Sequence, residues 1–266
     1  MIDIGCNLTH RRFRADLAEV LHRASEAGVD RMLVTGLSAE VSRQAERLAG
    51  ARLAQLRSTA GVHPHNARTV NARTASELEA LTHRPAVVAV GECGLDYDRD
   101  FSPRPVQRRA FEMQLELAAA RRMPVFLHER EAQDDFLAIL SRWRPKLVGG
   151  VVHCFTGQAR ALEAYLELGL HIGITGWITD ARRGAHLVSL VPRIPADRLM
   201  IETDAPFLTP KGATARRNEP SFLPLVLRAV AAAAGKPSAQ VAAETTAVAE
   251  RLFGWPPARE RAVGEG

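Results

Sequence analysis

One pattern constrains this chain more than any other. Short apolar, β-branched runs recur eight times, and each is followed by a longer segment with helical periodicity. The runs predict strands at 1–7 (MIDIGCN), 31–36, 57–63, 86–92, 124–128, 149–154, 170–175 and 199–204. Helices are predicted at 12–27, 39–50, 73–82, 104–122, 131–142, 158–168, 181–190 and 220–233, with a further one at 238–252. In the fourth, Phe111, Leu115 and Ala118 fall on one face. Ser38 and Thr74 are suited to cap the second and third helices. Strand-then-helix repetition gives a parallel sheet covered on both faces. Eight units within 266 residues match a (β/α)8 TIM-like barrel. A doubly wound open sheet is the competitor, but it usually has fewer strands and leaves two edges. No Gly-, Ser- or Pro-rich linker interrupts the pattern, so one domain is expected over 1–266. The segment after Trp255 (PPARERAVGEG) reads as peripheral.

Composition removes other classes. With 46% apolar and 24% charged residues, the chain is neither disordered nor collagen-like. It lacks a run of about 18 apolar residues, so no membrane span or membrane partner is expected. The start, MIDIGCNLTHRRF, has no basic-then-apolar leader, so secretion is not expected. Cys6, Cys93 and Cys154 are too few for a disulfide framework and include no CxxC pair. A cytoplasmic location fits. The net charge is +5, and only three of the 35 basic residues are lysine. Genome composition accounts for that bias. So does a phosphate-rich partner, because a guanidinium grips phosphate through two parallel hydrogen bonds.

In a barrel, chemistry sits at the C-terminal ends of the strands. Titratable residues fall there: Asp3 and Asn7 on the first strand, His63 and His65 after the third, and Glu92 at the end of the fourth. His128, His153 and Asp204 end the fifth, sixth and eighth. Each could be an ordinary satisfied core group. Several charged ends at one mouth are costly to bury unless they bind something. Imidazole and carboxylate together suit a divalent ion such as Mg²⁺, Mn²⁺ or Zn²⁺, and a hydrolase is the expected class. Trp177 and Phe207 on mouth loops could stack on bases.

The blocks DIGCNLT (3–9), AGVHPH (60–65), GECGLDYDRDFS (91–102), PVFLHER (124–130), HCFTG (153–157), IGITGWITDARRG (172–184), IETDAPFLTP (201–210) and RRNEP (216–220) together resemble the TatD family of metal-dependent deoxyribonucleases. That resemblance implies an amidohydrolase-like barrel that hydrolyses phosphodiesters. It implies Glu92, His128, His153 and Asp204 as metal ligands, with Glu92 and Asp204 also catalytic and His63 touching the scissile phosphate. His65, Arg216 and Arg217 are the expected substrate contacts. The expected substrate is single-stranded DNA or RNA, shortened from the 3′ end by a monomer. One departure stands out. Many relatives open with Asp-x-His-x-His, whereas this chain has Asp3-Ile4-Gly5-Cys6-Asn7. Without that histidine pair, Mg²⁺ is expected before Zn²⁺. Two other readings remain at this point: a hydrolase of small esters, amides or aminoacyl esters on the same barrel, and a non-catalytic partner protein.

Overall fold

A computed structural model describes residues 1–256; the expectation for the last ten residues lies outside that range. The eight predicted runs are strands: β1 (Ile2–Cys6), β2 (Arg31–Val34), β3 (Leu56–Ala60), β4 (Val87–Asp96), β5 (Val125–Arg130), β6 (Gly150–Val152), β7 (His171–Ile174) and β8 (Leu199–Ile201). They form one parallel sheet in sequence order. A further bridge between Cys6 and Ala205 brings the β8 end back to β1. Between the strands lie α1 (Leu17–Glu26), α2 (Ala39–Gly50), α3 (Ala72–Thr82), α4 (Arg104–Arg121), α5 (Gln133–Trp143), α6 (Ala159–Glu167) and α7 (Ala185–Leu190). After β8 come α8 (Leu223–Ala234) and α9 (Ser238–Phe253). This is the (β/α)8 barrel that the alternation predicts. None of the described helices is long and apolar enough to cross a membrane.

The differences from expectation are local. Ser38 caps α2 by accepting the Val41 N–H at 3.2 Å. Thr74 does not cap α3. Asn71 does, accepting the Thr74 N–H at 3.1 Å, so the helix begins one residue earlier. α1 and α8 begin later than predicted, because 3-10 turns at Arg11–Phe13 and Pro220–Phe222 take up their first expected residues, and α7 begins at Ala185 because 181–184 form a turn. Such short, tight turns carry helix-like composition without the i→i+4 ladder. β4 runs four residues beyond the expected end at Glu92.

Strand alternation builds the site on an apolar floor. Phe126, Val151 and Met200 face inward, in one cluster with Ile4, Leu33 and, below them, Phe253 and Trp255. Two residues further along the same strands come His128, His153 and Glu202, because successive side chains alternate faces. The larger core lies between the barrel wall and the helices. Phe111, Leu115, Phe136 and Tyr165 are fully buried there. β4 is irregular where chemistry is needed. Its register with β5 slips between Gly91 and Cys93, which leaves Glu92 as the bulged residue. Bulges of this kind re-aim a side chain next to an active site.

Candidate active site

Glu92 is the hub of the barrel mouth. Its Oε1 lies 2.8 Å from His128 Nδ1, 3.1 Å from His153 Nε2 and 3.3 Å from His63 Nε2. Burial would raise the Glu92 carboxyl, but His153, His63 and His128 outweigh it and hold it well below its ordinary range. The outer nitrogens of the two strand-end histidines meet carboxylates. His153 Nδ1 is 3.0 Å from Glu202 Oε2. His128 Nε2 is 3.5 Å from Asp96 Oδ2, a looser contact, and His65 Nε2 lies 2.6 Å from that same oxygen. The two rings are therefore turned in opposite senses, so that Nδ1 of one and Nε2 of the other converge on Glu92. An outer carboxylate on a metal-ligating histidine fixes the tautomer and orients the ring.

Burial lowers His63 to about 4 against the pull of Glu92, so its imidazole is neutral near pH 7. Its Nδ1 accepts the His65 N–H at 3.1 Å, which assigns the ring proton to Nε2, facing the centre. Asp204 is half-buried across the mouth, and its backbone N–H donates to Gly5 O at 2.8 Å. Burial, with Glu92 and Glu202 nearby, raises its carboxyl to about 7. Asn7 Nδ2 donates to Asp204 Oδ1 at 3.0 Å, while Asn7 Oδ1 is buried without a partner.

The donor set fits a divalent cation. His63, Glu92 and His128 each place a polar atom within 4.8 Å of the others, and His153 Nε2 reaches the same Glu92 oxygen; with the His63 ring proton on Nε2, Glu92, His128 and His153 are the groups left to ligate. Without a metal, burial works against charging the two strand-end imidazoles. Nearby carboxylates nevertheless raise His128 to about 9 and His153 well above its usual range, so the carboxylates of this centre favour positive charge beside them.

A TatD-related DNase model matches residues 2–254. The chain belongs to the TatD family of DNases. It is a phosphodiester-hydrolysing nuclease. A protein of Pantoea vagans named 3′-5′ ssDNA/RNA exonuclease TatD is 50% identical over 257 residues, 95% of this chain and 99% of that protein. One of Erwinia billingiae with the same name is 50% identical over 260 residues, 96% and 100% of the two chains. Among solved structures, a TatD homologue of Escherichia coli K12 superposes with TM-score 0.89 at 29% identity, covering 96% of this chain and 98% of its own. An N-acetylglucosamine-6-phosphate deacetylase of Mycobacterium smegmatis, at 16% identity and TM-score 0.60, covers 97% of this chain and 76% of its own and shares the barrel alone.

The TatD barrel places Glu92, His128, His153, His63, His65 and Asp204 around one mouth. It does not leave Arg217 free. That guanidinium donates to Asp16 at 2.7 and 2.6 Å and to the Arg12 carbonyl at 2.6 Å, which ties the β8 loop to the segment before α1. Arg216 is exposed. The departure at Gly5 has a visible consequence. A Cβ there would fall 2.2 Å from Glu202 Oε2, and one at Gly173 would fall 2.5 Å from Glu202 Oε1. Two glycines on flanking strands thus clear the space that Glu202 occupies. Asn7 orients Asp204. Glu129 points out of the barrel, where its carboxylate accepts the Tyr165 hydroxyl at 2.8 Å and the Ala132 N–H at 2.8 Å. Glu202 and Asp96 are not foreseen from sequence. The available signal was a carboxylate beside Asp204 at a strand end, opposite glycines on both neighbouring strands.

Proposed function

We propose that this chain is a metal-dependent exonuclease that removes nucleotides from the 3′ end of single-stranded DNA and RNA. The observation that carries the reading is the convergence of His128 Nδ1 and His153 Nε2 on Glu92 Oε1, with Asp204 facing them. The 3′-5′ polarity and the single-stranded substrate rest on the names of relatives at about 50% identity over nearly their full length. Glu92, His128 and His153, with Asp204, would hold the ion. Mg²⁺ is favoured because this chain lacks the first-strand histidine pair. When bound, a divalent ion polarises the phosphodiester and lowers the pKa of the attacking water.

The chain's own groups have separable tasks. Asn7 occupies Asp204 Oδ1, so Asp204 Oδ2 is the oxygen that accepts the proton from the attacking water. His63 Nε2–H donates to a phosphate oxygen as its charge grows. His65, steadied by Asp96, contacts the substrate beside it. Arg216 is the substrate-binding arginine of the β8 loop. Arg217 instead holds that loop in place. We further propose one catalytic barrel over 1–266, acting as a monomer in the cytoplasm, where its three free cysteines stay reduced.

The test uses 5′-labelled single-stranded DNA and its RNA counterpart, with Mg²⁺, with Mn²⁺ and with chelator. The expected result is a metal-dependent ladder shortening from the 3′ end and a Glu92→Ala variant at least a thousandfold slower. Intact oligonucleotide under every metal condition, with folded protein, would overturn the reading.

A further inference from the structure

The loops around the mouth differ in how they use their cations. After β4 and β5, each arginine meets a local acid. Arg104 pairs with Asp100 at 2.9 Å, Arg108 with Asp135 at 2.6 Å, and Arg99 and Arg130 with Asp98 at 3.7 and 3.9 Å. A cavity of about 520 Å³ opens on this side. Glu129, Glu131, Asp134 and Asp135 line it against Arg130 and Arg160, an excess of carboxylate that repels a phosphate chain.

The loops after β7, β8 and β1 do the reverse. Their carboxylates are already taken: Asp16 by Arg217, Glu219 by Arg23, and Asp180 by Arg183. The side chains of Arg11, Arg182, Lys211 and Arg216 are exposed and have no partner among the described residues. Among the described residues, the Arg12 guanidinium donates to the Pro206 carbonyl at 3.3 Å and meets no carboxylate. A groove of about 260 Å³ crosses this rim, lined by Trp177, Thr179, Arg183, Leu208 and Lys211. Phe207 stands beside it, 43% exposed and edge-on to His10 at 5.4 Å. Trp177 is itself engaged: Arg130 and Arg183 lie 5.3 and 4.7 Å from its ring centroid, so Phe207 is the open aromatic face of this rim, while Phe101 on the β4 loop, 59% exposed against His65, has paired cations around it.

We infer that the substrate strand on the 5′ side of the scissile phosphate leaves the mouth across the β7–β8–β1 rim, with phosphates on Lys211 and Arg216 and a base on Phe207. Unpaired cations beside an exposed aromatic are the two elements that bind single strands without reading sequence. The inference rests on the exonuclease reading and adds the direction of the strand.

Binding of a 5′-labelled 15-nucleotide DNA, followed by fluorescence anisotropy in chelator from 50 to 200 mM salt, tests it. Each lost phosphate contact lowers the log–log salt slope by about 0.7 for a single strand. The Lys211→Gln/Arg216→Gln double variant should therefore lose about 1.4 from the slope. Phe207→Ala should weaken binding about tenfold with the slope unchanged. Arg99→Gln/Arg104→Gln on the opposite rim should match the wild type. An unchanged slope in the first variant, or the loss appearing in the opposite-rim variant, overturns the path. If the wild type shortens the oligonucleotide with Mg²⁺ while the slopes stay equal, only the path fails. If it neither binds nor shortens it, the exonuclease reading fails as well.

Discussion

At the scale of single residues, Glu202 shows how much of a site lies behind the groups that touch substrate. It is fully buried, its Oε1 accepts the Cys154 N–H at 2.5 Å, and its Oε2 faces His153 Nδ1. Its carboxylate takes Nδ1 of His153 and turns Nε2 toward Glu92. Replacing it with glutamine keeps volume and one acceptor but removes the charge. Loss of an outer partner of this kind typically weakens metal affinity by 10 to 100-fold. Glu202→Gln is therefore expected to bind Mn²⁺ at least about tenfold more weakly by calorimetric titration, with its circular dichroism unchanged. Wild-type affinity in a folded variant would reduce Glu202 to a packing residue. His128 and His153 were legible in sequence because each ends an apolar run at the mouth. Glu202 was not, since nothing in its own strand shows the two glycines that make room for it. The pairing of Arg217 is not legible for a related reason: its partner Asp16 is distant in sequence and adjacent only once the barrel closes.

The elements set the position of Glu92 through backbone approach. β3 and β4 come so close that a Cβ at Gly61 would lie 2.3 Å from the Gly91 carbonyl carbon. Gly91 has φ +144°, and its own Cβ would lie 2.2 Å from Phe126 O. No side chain can swing aside there, because the atoms met are backbone. Gly61→Ala must push β4 outward and carry the bulged Glu92 with it. We expect a fall in Tm together with loss of most turnover. Gly50→Ala, at the end of α2 with only the flexible Glu46 tip at 3.6 Å, should hold or raise Tm because alanine favours the helix. A Gly61→Ala enzyme with wild-type Tm and rate would show that β4 tolerates the shift. The alternation and order of the strands were readable from periodicity. The bulge was not, because GEC continues an ordinary strand pattern and the slip exists only against β5.

For the whole molecule, the question is what keeps the barrel closed beneath its polar mouth. Helix α9 and Trp255 cover the floor, where Phe253 and Trp255 pack under Ile2, Leu33 and Met200. A buried ion pair crosses that seam, and Arg57 adds a guanidinium 5.3 Å from the Trp255 ring. Arg31 on β2 is almost fully buried, and its Nη2 meets Glu250 Oε1 at 2.5 Å while Nη1 donates to Pro256 O at 2.9 Å. Its guanidinium also lies 5.7 Å from the centre of the Trp255 ring. Removing one partner of a buried ion pair is far more damaging than replacing both, since it strands a desolvated charge. Glu250→Ala should therefore cost about 3 kcal/mol in denaturant unfolding. Arg31→Met/Glu250→Leu should recover most of that loss. Floor and mouth lie at opposite ends of the strands, so nuclease kcat at low temperature should stay near wild type in both variants. A Glu250→Ala protein as stable as wild type would mean that Pro256 and Trp255 alone satisfy Arg31, and that the apolar floor holds the barrel shut without the ion pair.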